Sequence, residues 1–282
     1  MYSGPFSHRE LERRAGMKVA VLIVAAGALV CAAPEGRQSP LTGIWVADLG
    51  SQQGLPTDVY RVSDGTYSCE SCKPARRYPT DGRLRPVAGS PGTSESVAIV
   101  DSRTISTHIL QPGLVRTTRM RVSPDGRTAR YVSTDRRAGI AESLRTEYVA
   151  ERTASGPAGS HAVSGTWRGV RYVSVPLRLR TTILSDSGDG LVYRTGSGFS
   201  YSARYGGGFV PILGPYDGSL SVSVRRIDPY RVVETRRRGS EDVQTRTYTV
   251  ARDGKRMEIA TTDAATGTTF KVTARRRGKR QA

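Results

Sequence analysis

Histidine and cysteine are scarce in this chain, whose 282 residues contain only three of each. A hydrolytic triad needs a basic side chain beside its nucleophile, and a structural zinc site needs four ligands. Beyond the N-terminal segment only His108 and His161 could act as the base or as histidine ligands. We therefore expect a protein that is not an enzyme and that holds no metal and no cofactor. An enzyme with an unrecognised site stays open as an alternative.

The chain also lacks an apolar run long enough to span a membrane. Its longest run, residues 19–33, falls short of the about 20 residues that a bilayer requires. Lys18 precedes this run and small residues end it, which is the pattern of a secretory signal peptide. We predict a signal peptide over 1–33, with the true start at Met17. An uncleaved membrane anchor and lipidation of Cys31 are the alternatives.

Removal of the signal would leave two cysteines, Cys69 and Cys72. An even pair in an oxidising compartment predicts a disulfide, here a local one that holds a turn. A redox-active pair stays open, although no thioredoxin-like pattern surrounds it. Haem attachment needs histidine after the second cysteine, where Lys73 stands, and zinc would need two further ligands.

Helix-forming patterns are few, whereas β patterns recur along the chain. Leu220, Val222 and Val224 alternate with polar residues, which places them on one face of a strand. Residues 136–149 show helical spacing, but we predict strand over 143–151 because its counterpart in the second half alternates. Asp-Gly pairs supply hairpin turns throughout. The expected class is all-β, with antiparallel small barrels or strongly curled sheets.

The chain repeats itself at an offset that grows from 122 to 128 residues. The matching segments are Leu41–Trp45 with Val163–Trp167, Arg85–Gly89 with Val210–Gly214, Asp125–Arg127 with Asp253–Lys255, and Ser133–Asp135 with Thr261–Asp263. This period is too long for a solenoid and predicts two tandem domains of like fold. The predicted division is signal peptide 1–33, linker 34–40, repeat 1 at 41–151, linker 152–162, repeat 2 at 163–275 and basic tail 276–282.

The Gly-x-Trp motif that opens each repeat resembles the first strand of lipocalin-like, calycin-type barrels. That resemblance implies that Trp45 and Trp167 each close one end of a barrel. The chain is also similar to uncharacterised exported bacterial proteins with two such units. The segments that carry this likeness are 67–74, 81–89 and 123–127. The resemblance implies location and fold but no activity.

Positive charge is the other strong signal, since the formal net charge is +18 and only five of the 43 basic residues are lysine. Guanidinium groups bind phosphates well, so clustered arginines favour polyanions. The candidate polyanion-binding residues are Arg236, Arg237, Arg238, Arg275, Arg276 and Arg277. Anionic envelope surfaces fit this pattern better than nucleic acid does. Genome composition alone would also enrich arginine.

These features predict a periplasmic or secreted, monomeric module of the bacterial cell envelope. We expect a non-enzymatic binding or structural role, with a small apolar ligand in the barrel mouths as one possibility. An arginine-driven binder of anionic polymers or membrane surfaces is the alternative. An open cavity lined by apolar residues would favour ligand binding, whereas a filled interior would favour a structural role.

Overall fold

The computed structural model describes residues 38–214 and 219–278, most of which lie in β-strands. The predicted signal peptide, with Met17 and Cys31, lies outside the described residues, as do residues 279–282 of the predicted tail. The first ten strands are β1 (Gly43–Ala47), β2 (Thr57–Ser63), β3 (Thr66–Cys69), β4 (Arg76–Pro79), β5 (Arg85–Pro86), β6 (Ser94–Asp101), β7 (Thr104–Gln111), β8 (Leu114–Val122), β9 (Thr128–Arg137) and β10 (Leu144–Ser155).

The second half of the chain supplies ten more strands in the same sequence of long and short elements. They are β11 (Gly165–Ser174), β12 (Thr181–Asp186), β13 (Gly190–Thr195), β14 (Ser200–Arg204), β15 (Val210–Pro211), β16 (Leu220–Asp228), β17 (Arg231–Arg238), β18 (Glu241–Val250), β19 (Arg256–Asp263) and β20 (Thr269–Arg276). A 3-10 turn, Leu49–Ser51, follows β1, and a single helical turn, α1 (Leu177–Arg180), follows β11.

Two ten-stranded antiparallel sheets contain all these strands, which confirms the predicted all-β class. One has the order β4-β3-β2-β11-β10-β9-β8-β7-β6-β5, and the other β14-β13-β12-β1-β20-β19-β18-β17-β16-β15. Each sheet curls until its ends meet, through a bridge from Asp81 to Ala98 in the first and from Tyr205 to Val224 in the second. Both are therefore nearly closed barrels. We call them the N-terminal barrel (β2–β11) and the C-terminal barrel (β1 and β12–β20).

The two barrels exchange their first strands. The two sheets have the same strand order, with β2 corresponding to β12, β3 to β13, and so on to β10 and β20. The exception is the opening strand of each repeat, because β11 lies in the first sheet and β1 lies in the second. The opening strand of repeat 1 lies between β12 and β20, and that of repeat 2 lies between β2 and β10. The strand order thus matches the predicted duplication. However, the predicted boundaries 41–151 and 163–275 separate each opening strand from the barrel that contains it.

The predicted linker 152–162 also differs from the structure, because β10 continues to Ser155. These residues are in strand because the exchanged β11 pairs with them, with Arg152 opposite Trp167 and Ser155 opposite Gly165. Gly165 fits this approach because it has no side chain. A Cβ there would lie 2.4 Å from the Ala154 carbonyl oxygen. By contrast, the strand predicted over 143–151 is confirmed from Leu144 onward.

Two short segments carry the chain from one barrel to the other. Residues 48–56 connect β1 to β2, and residues 175–180 connect β11 to β12. The first passes tightly against β20, where Gln53 bridges to Lys271. Gly54 has a φ of +68°, and a Cβ there would lie 2.1 Å from the Thr269 carbonyl oxygen. Only glycine fits this crossing without a shift of the backbone.

Apolar side chains fill one end of each barrel, namely the end at which its exchanged strand begins. The C-terminal core contains Trp45, Leu184, Val224, Val232, Val250 and Met257. The N-terminal core contains Trp167, Val62, Val97, Ile105, Met120 and Val122. Each fully buried aliphatic side chain contributes about 1.5–3 kcal/mol to folding. These ends are therefore closed by apolar side chains.

Candidate functional site

The open ends of the two barrels share one cavity. Its volume of about 1470 Å³ exceeds the ~300–1,000 Å³ of most small-molecule sites. Tyr148 and Tyr172 of the N-terminal barrel line it together with Tyr193 and Val272 of the C-terminal barrel. Both crossing segments contribute to its wall. The strand exchange therefore brings the two mouths together, because each crossing segment must run from one mouth to the other.

The two predicted barrel-closing residues, Trp45 and Trp167, are fully buried and do not line this cavity. Each indole N–H donates to the carbonyl oxygen four residues earlier, at 2.9 Å for Leu41 and 2.8 Å for Val163. These bonds fold the segment before β1 or β11 over the filled end of the barrel.

An arginine covers each tryptophan ring. The guanidinium of Arg276 lies 4.6 Å from the ring centroid of Trp45, and that of Arg152 lies 4.2 Å from that of Trp167. Arg276 also donates to the Pro40 carbonyl, and Arg152 donates to the Ser164 carbonyl at 2.6 Å. Cation–π contact and hydrogen bonds thus hold each closing segment in place.

A buried carboxylate, Glu234, lies within the C-terminal barrel. Glu234, Arg236 and Val232 alternate along β17, so their side chains lie on the same inward face. Oε2 accepts from Arg236 Nη2 at 2.8 Å and Nε at 3.1 Å, while Oε1 accepts from the Tyr248 hydroxyl at 2.8 Å and from the Tyr201 hydroxyl. Burial and the Glu234 charge raise the pKa of both tyrosines, so these hydroxyls stay protonated and donate.

Arg246 lies on β18 next to this cluster and reaches the shared cavity, as Arg236 does. Its guanidinium donates to Thr261 Oγ1 at 3.1 Å, to the Tyr193 hydroxyl at 3.2 Å and to Gln244 Oε1 at 3.4 Å. These acceptors are all neutral. The same part of the cavity has an apolar wall formed by Phe199, Ile212, Leu220 and Ile259.

The mouth of the N-terminal barrel contains a different ion cluster, in which one carboxylate binds two arginines. Asp135 is buried and accepts from Arg116 Nε at 2.6 Å, Arg116 Nη2 at 2.8 Å and Arg137 Nη2 at 2.7 Å. Burial raises the pKa of Asp135, but the two arginines outweigh burial and hold it below its ordinary value. All three side chains line the shared cavity.

A smaller chamber of about 300 Å³ lies deeper in the N-terminal barrel. Its wall contains Asp58 together with Tyr60, Tyr67, Tyr131 and Tyr148. Burial raises the pKa of Asp58, against the lowering effect of hydrogen bonds from its tyrosine neighbours. Tyr148 also lines the shared cavity, so the chamber adjoins it.

An ion pair joins the two barrels at the edge of the cavity. Lys73 Nζ lies 2.9 Å from Asp263 Oδ1, with each side chain about half exposed. The hydrogen bond from Lys73 is the main cause that lowers the pKa of Asp263 to about 2. An exposed pair of this kind contributes only ~0–1 kcal/mol to stability.

The predicted polyanion-binding arginines do not form one surface, because strand alternation divides each run. Arg236 points into the cavity, whereas Arg237 points outward, 2.5 Å from Asp242 Oδ1 and 4.0 Å from the Phe209 ring centroid. Arg238 is exposed. Of the second run, Arg276 covers Trp45, while Arg275 and Arg277 are exposed.

His108 and His161, the two histidines that could act as a base, have different partners in the structure. His108 Nδ1 lies 3.1 Å from Thr117 Oγ1, and His161 Nε2 lies 2.7 Å from the Asp101 backbone oxygen. Asp101 ends β6 and Asp228 ends the corresponding strand β16, and each accepts a backbone N–H from two residues later, at 2.8 and 2.7 Å. Both aspartates therefore hold turns.

The predicted disulfide is confirmed, since Cys69 and Cys72 are bonded with their Cα atoms 5.4 Å apart. Such a bond fits an oxidising compartment. Across residues 38–214 and 219–278 we find no group of three or more metal-ligating side chains. In the same ranges, no helix has the length and apolar character needed to cross a membrane.

Comparison with known proteins identifies no relative: no protein-family model matches the chain, and no curated protein or solved structure matches it significantly. The resemblance to lipocalin-like exported proteins therefore stays a prediction.

Sequence reasoning missed most of the charged residues in the barrel mouths. Glu234, Arg246, Arg116 and Asp135 received no role from the sequence, although each occupies an inward position by strand alternation. The signal was present, because Arg246 is two residues from Tyr248 and four from Val250, on the same face as buried residues. A charged residue on an apolar face is the pattern that would have identified these positions.

Proposed function

We propose that this chain is an exported, non-enzymatic binding protein of the bacterial cell envelope, which holds a small molecule between its two barrels. The shared cavity is the observation that carries this proposal. It is large, it is lined by strands of both barrels, and it mixes apolar walls with a few charged groups. These are the general features of small-molecule sites.

The carboxylates that line this cavity support binding rather than catalysis. Asp135 pairs with Arg116, Asp263 with Lys73, and Glu70 with Arg61. Cationic neighbours lower the pKa of Asp135 and of Asp263, whereas a general acid or base needs a pKa near the working pH. The disulfide supports an extracytoplasmic location, as the predicted signal peptide does.

The test is titration with N-phenyl-1-naphthylamine, a neutral dye whose fluorescence rises in an apolar site. We expect saturable binding to the wild-type protein. Thr182→Trp should weaken it, because Thr182 lines the cavity and a bulky ring there would fill part of the space. The matched control is Ile183→Trp on the same strand, whose side chain is 37% exposed on the outer face.

Equal binding by Thr182→Trp and Ile183→Trp would show that the dye binds elsewhere. An absence of saturable binding to the wild-type protein would contradict the proposal. Circular dichroism and thermal melting of both variants show whether each retains the wild-type fold.

A further inference from the structure

We propose that the ligand of the shared cavity is an organic anion, whose acidic group binds Arg246 at the mouth of the C-terminal barrel. This inference rests on the proposed binding function and adds the chemical class of the ligand. It follows from the distribution of charge among the residues that line the cavity.

Glu234 cannot neutralise both arginines beside it. Its Oε2 already accepts two hydrogen bonds from Arg236, and its Oε1 accepts from Tyr248 and Tyr201. Each oxygen of this carboxylate thus accepts two donors, about the full capacity of its lone pairs. The ion pair with Arg236 therefore leaves Arg246 without a carboxylate in contact, and the Glu234 charge acts on Arg246 only from a greater distance.

Arg246 itself has only neutral partners. Among the residues that the structure describes, no carboxylate lies within ion-pair distance of its guanidinium, and its three acceptors lie at 3.1–3.4 Å. The bonds to Thr261 and Tyr193 fall in the long part of the usual range for N–H···O bonds, and the bond to Gln244 exceeds it. A guanidinium inside a barrel favours an anionic partner, because its charge has lost much of its hydration there.

The other arginine cluster also has two arginines for one carboxylate, but both of them contact Asp135, and this difference favours the C-terminal barrel as the anion site. Arg116 and Arg137 both bind Asp135 at 2.6–2.8 Å, so each has a carboxylate in contact. Arg180, which also lines the cavity, adds positive charge and donates to the Ala47 carbonyl oxygen at 3.3 Å.

The surroundings of Arg246 indicate the rest of the ligand. Phe199, Ile212 and Ile259 line the same cavity, so an apolar body can pack against them while the acidic group meets the guanidinium. The planar donor fork of arginine suits both carboxylate and phosphate oxygens. The inferred ligand class is therefore an amphipathic acid with a carboxylate or phosphate group.

A pair of matched dyes tests the charge preference. Anilinonaphthalene sulfonate has the skeleton of N-phenyl-1-naphthylamine plus one sulfonate. We expect the wild-type protein to bind the sulfonate about tenfold or more tightly than the neutral dye, since charge-assisted hydrogen bonds have that effect. Arg246→Gln should bring the two affinities together. Arg238→Gln, an exposed position on the neighbouring strand, should change neither.

Competition then identifies the acidic group and does not depend on any variant. Decanoate and decyl phosphate should displace the sulfonate dye, and whichever is more effective names the class, while methyl decanoate should be much weaker. Equal displacement by acid and ester would overturn the inference. So would a sulfonate preference that survives Arg246→Gln and disappears in Arg238→Gln, because that result places the anion on the outer surface.

The two proposals fail in different ways. Binding of the neutral dye without preference for the sulfonate would refute the anion site and leave the binding function intact. Binding of neither dye would refute both.

Discussion

Ile44 on β1 lies directly opposite Ile183 on β12 in the antiparallel register of the C-terminal barrel. The equivalent pair in the N-terminal barrel is Thr166 on β11 and Val59 on β2. Each pair joins residues from different repeats. If the strands were not exchanged, Ile44 would face Val59, and Thr166 would face Ile183. The exchange thus makes each barrel depend on both halves of the chain.

Engineered disulfides distinguish these two arrangements. Opposed residues of antiparallel strands have Cα atoms about 4.5–5.5 Å apart, within the range that a disulfide spans. We expect Ile44→Cys combined with Ile183→Cys to form a disulfide, and likewise Val59→Cys combined with Thr166→Cys. Peptide mapping by mass spectrometry under non-reducing conditions detects the bond.

The controls for this experiment are the two alternative pairings. Ile44→Cys with Val59→Cys, and Thr166→Cys with Ile183→Cys, should stay reduced in the folded monomer. Efficient bonding in these controls, without bonding in the exchanged pairs, would show that each repeat keeps its own first strand.

The closing tryptophans provide a second prediction, because each should stabilise the barrel of the other repeat. Trp45→Ala removes a fully buried ring and its hydrogen bond to Leu41, at a cost of about 3–5 kcal/mol. Hydrogen exchange should then accelerate in β12–β20 rather than in β2–β10. Trp167→Ala should give the reverse pattern. Faster exchange confined to β2–β10 in Trp45→Ala would contradict the exchange of strands.

The sequence predicts the strands well because a strand is a local pattern. Alternation of apolar and polar residues determines which side chains point inward, and Asp-Gly pairs determine where hairpins turn. The exchange could not be predicted in this way. β1 and β11 open equivalent repeats with the same Gly-x-Trp motif, so either strand has the side chains needed to fill either barrel. The short crossing segments and their contacts decide between the two arrangements.

The candidate site was predictable only in part. Period-two alternation places Arg236 on the same inward face as Glu234. The run of three arginines that contains Arg236 instead predicts a polyanion-binding surface. The pairing of Arg116 and Arg137 with Asp135 depends on the curvature of β8 and β9, and the shared cavity depends on the exchange. Neither follows from local spacing.

Asp58 provides a prediction for the dependence of stability on pH. Burial raises its pKa, so the folded chain binds more protons at this site than the unfolded chain does. Its contribution to the free energy of unfolding therefore falls as the pH rises from the ordinary carboxyl pKa of about 4 through the raised value. The asparagine of Asp58→Asn cannot titrate, so this variant should gain stability relative to the wild-type protein as the pH rises above about 4.

Urea unfolding across this pH range measures the effect. The control is Asp101→Asn, because Asp101 is exposed and its backbone hydrogen bond from Arg103 lowers its pKa. This control should show a small trend of the opposite sign. A constant difference between wild type and Asp58→Asn would contradict the raised pKa.

Asp135 should behave in the opposite way, because Arg116 and Arg137 hold its pKa below the ordinary value. Its stabilising contribution is present above the unfolded pKa of about 4 and is lost as the pH falls through the lower folded value. At neutral pH, Asp135→Asn leaves two arginines without their carboxylate and should cost about 3–5 kcal/mol. Asp242→Asn, which removes the exposed partner of Arg237, should cost less than about 1 kcal/mol. Urea unfolding at decreasing pH should show the Asp135→Asn deficit shrinking, and a deficit that stays constant into strong acid would refute the ion cluster as its cause.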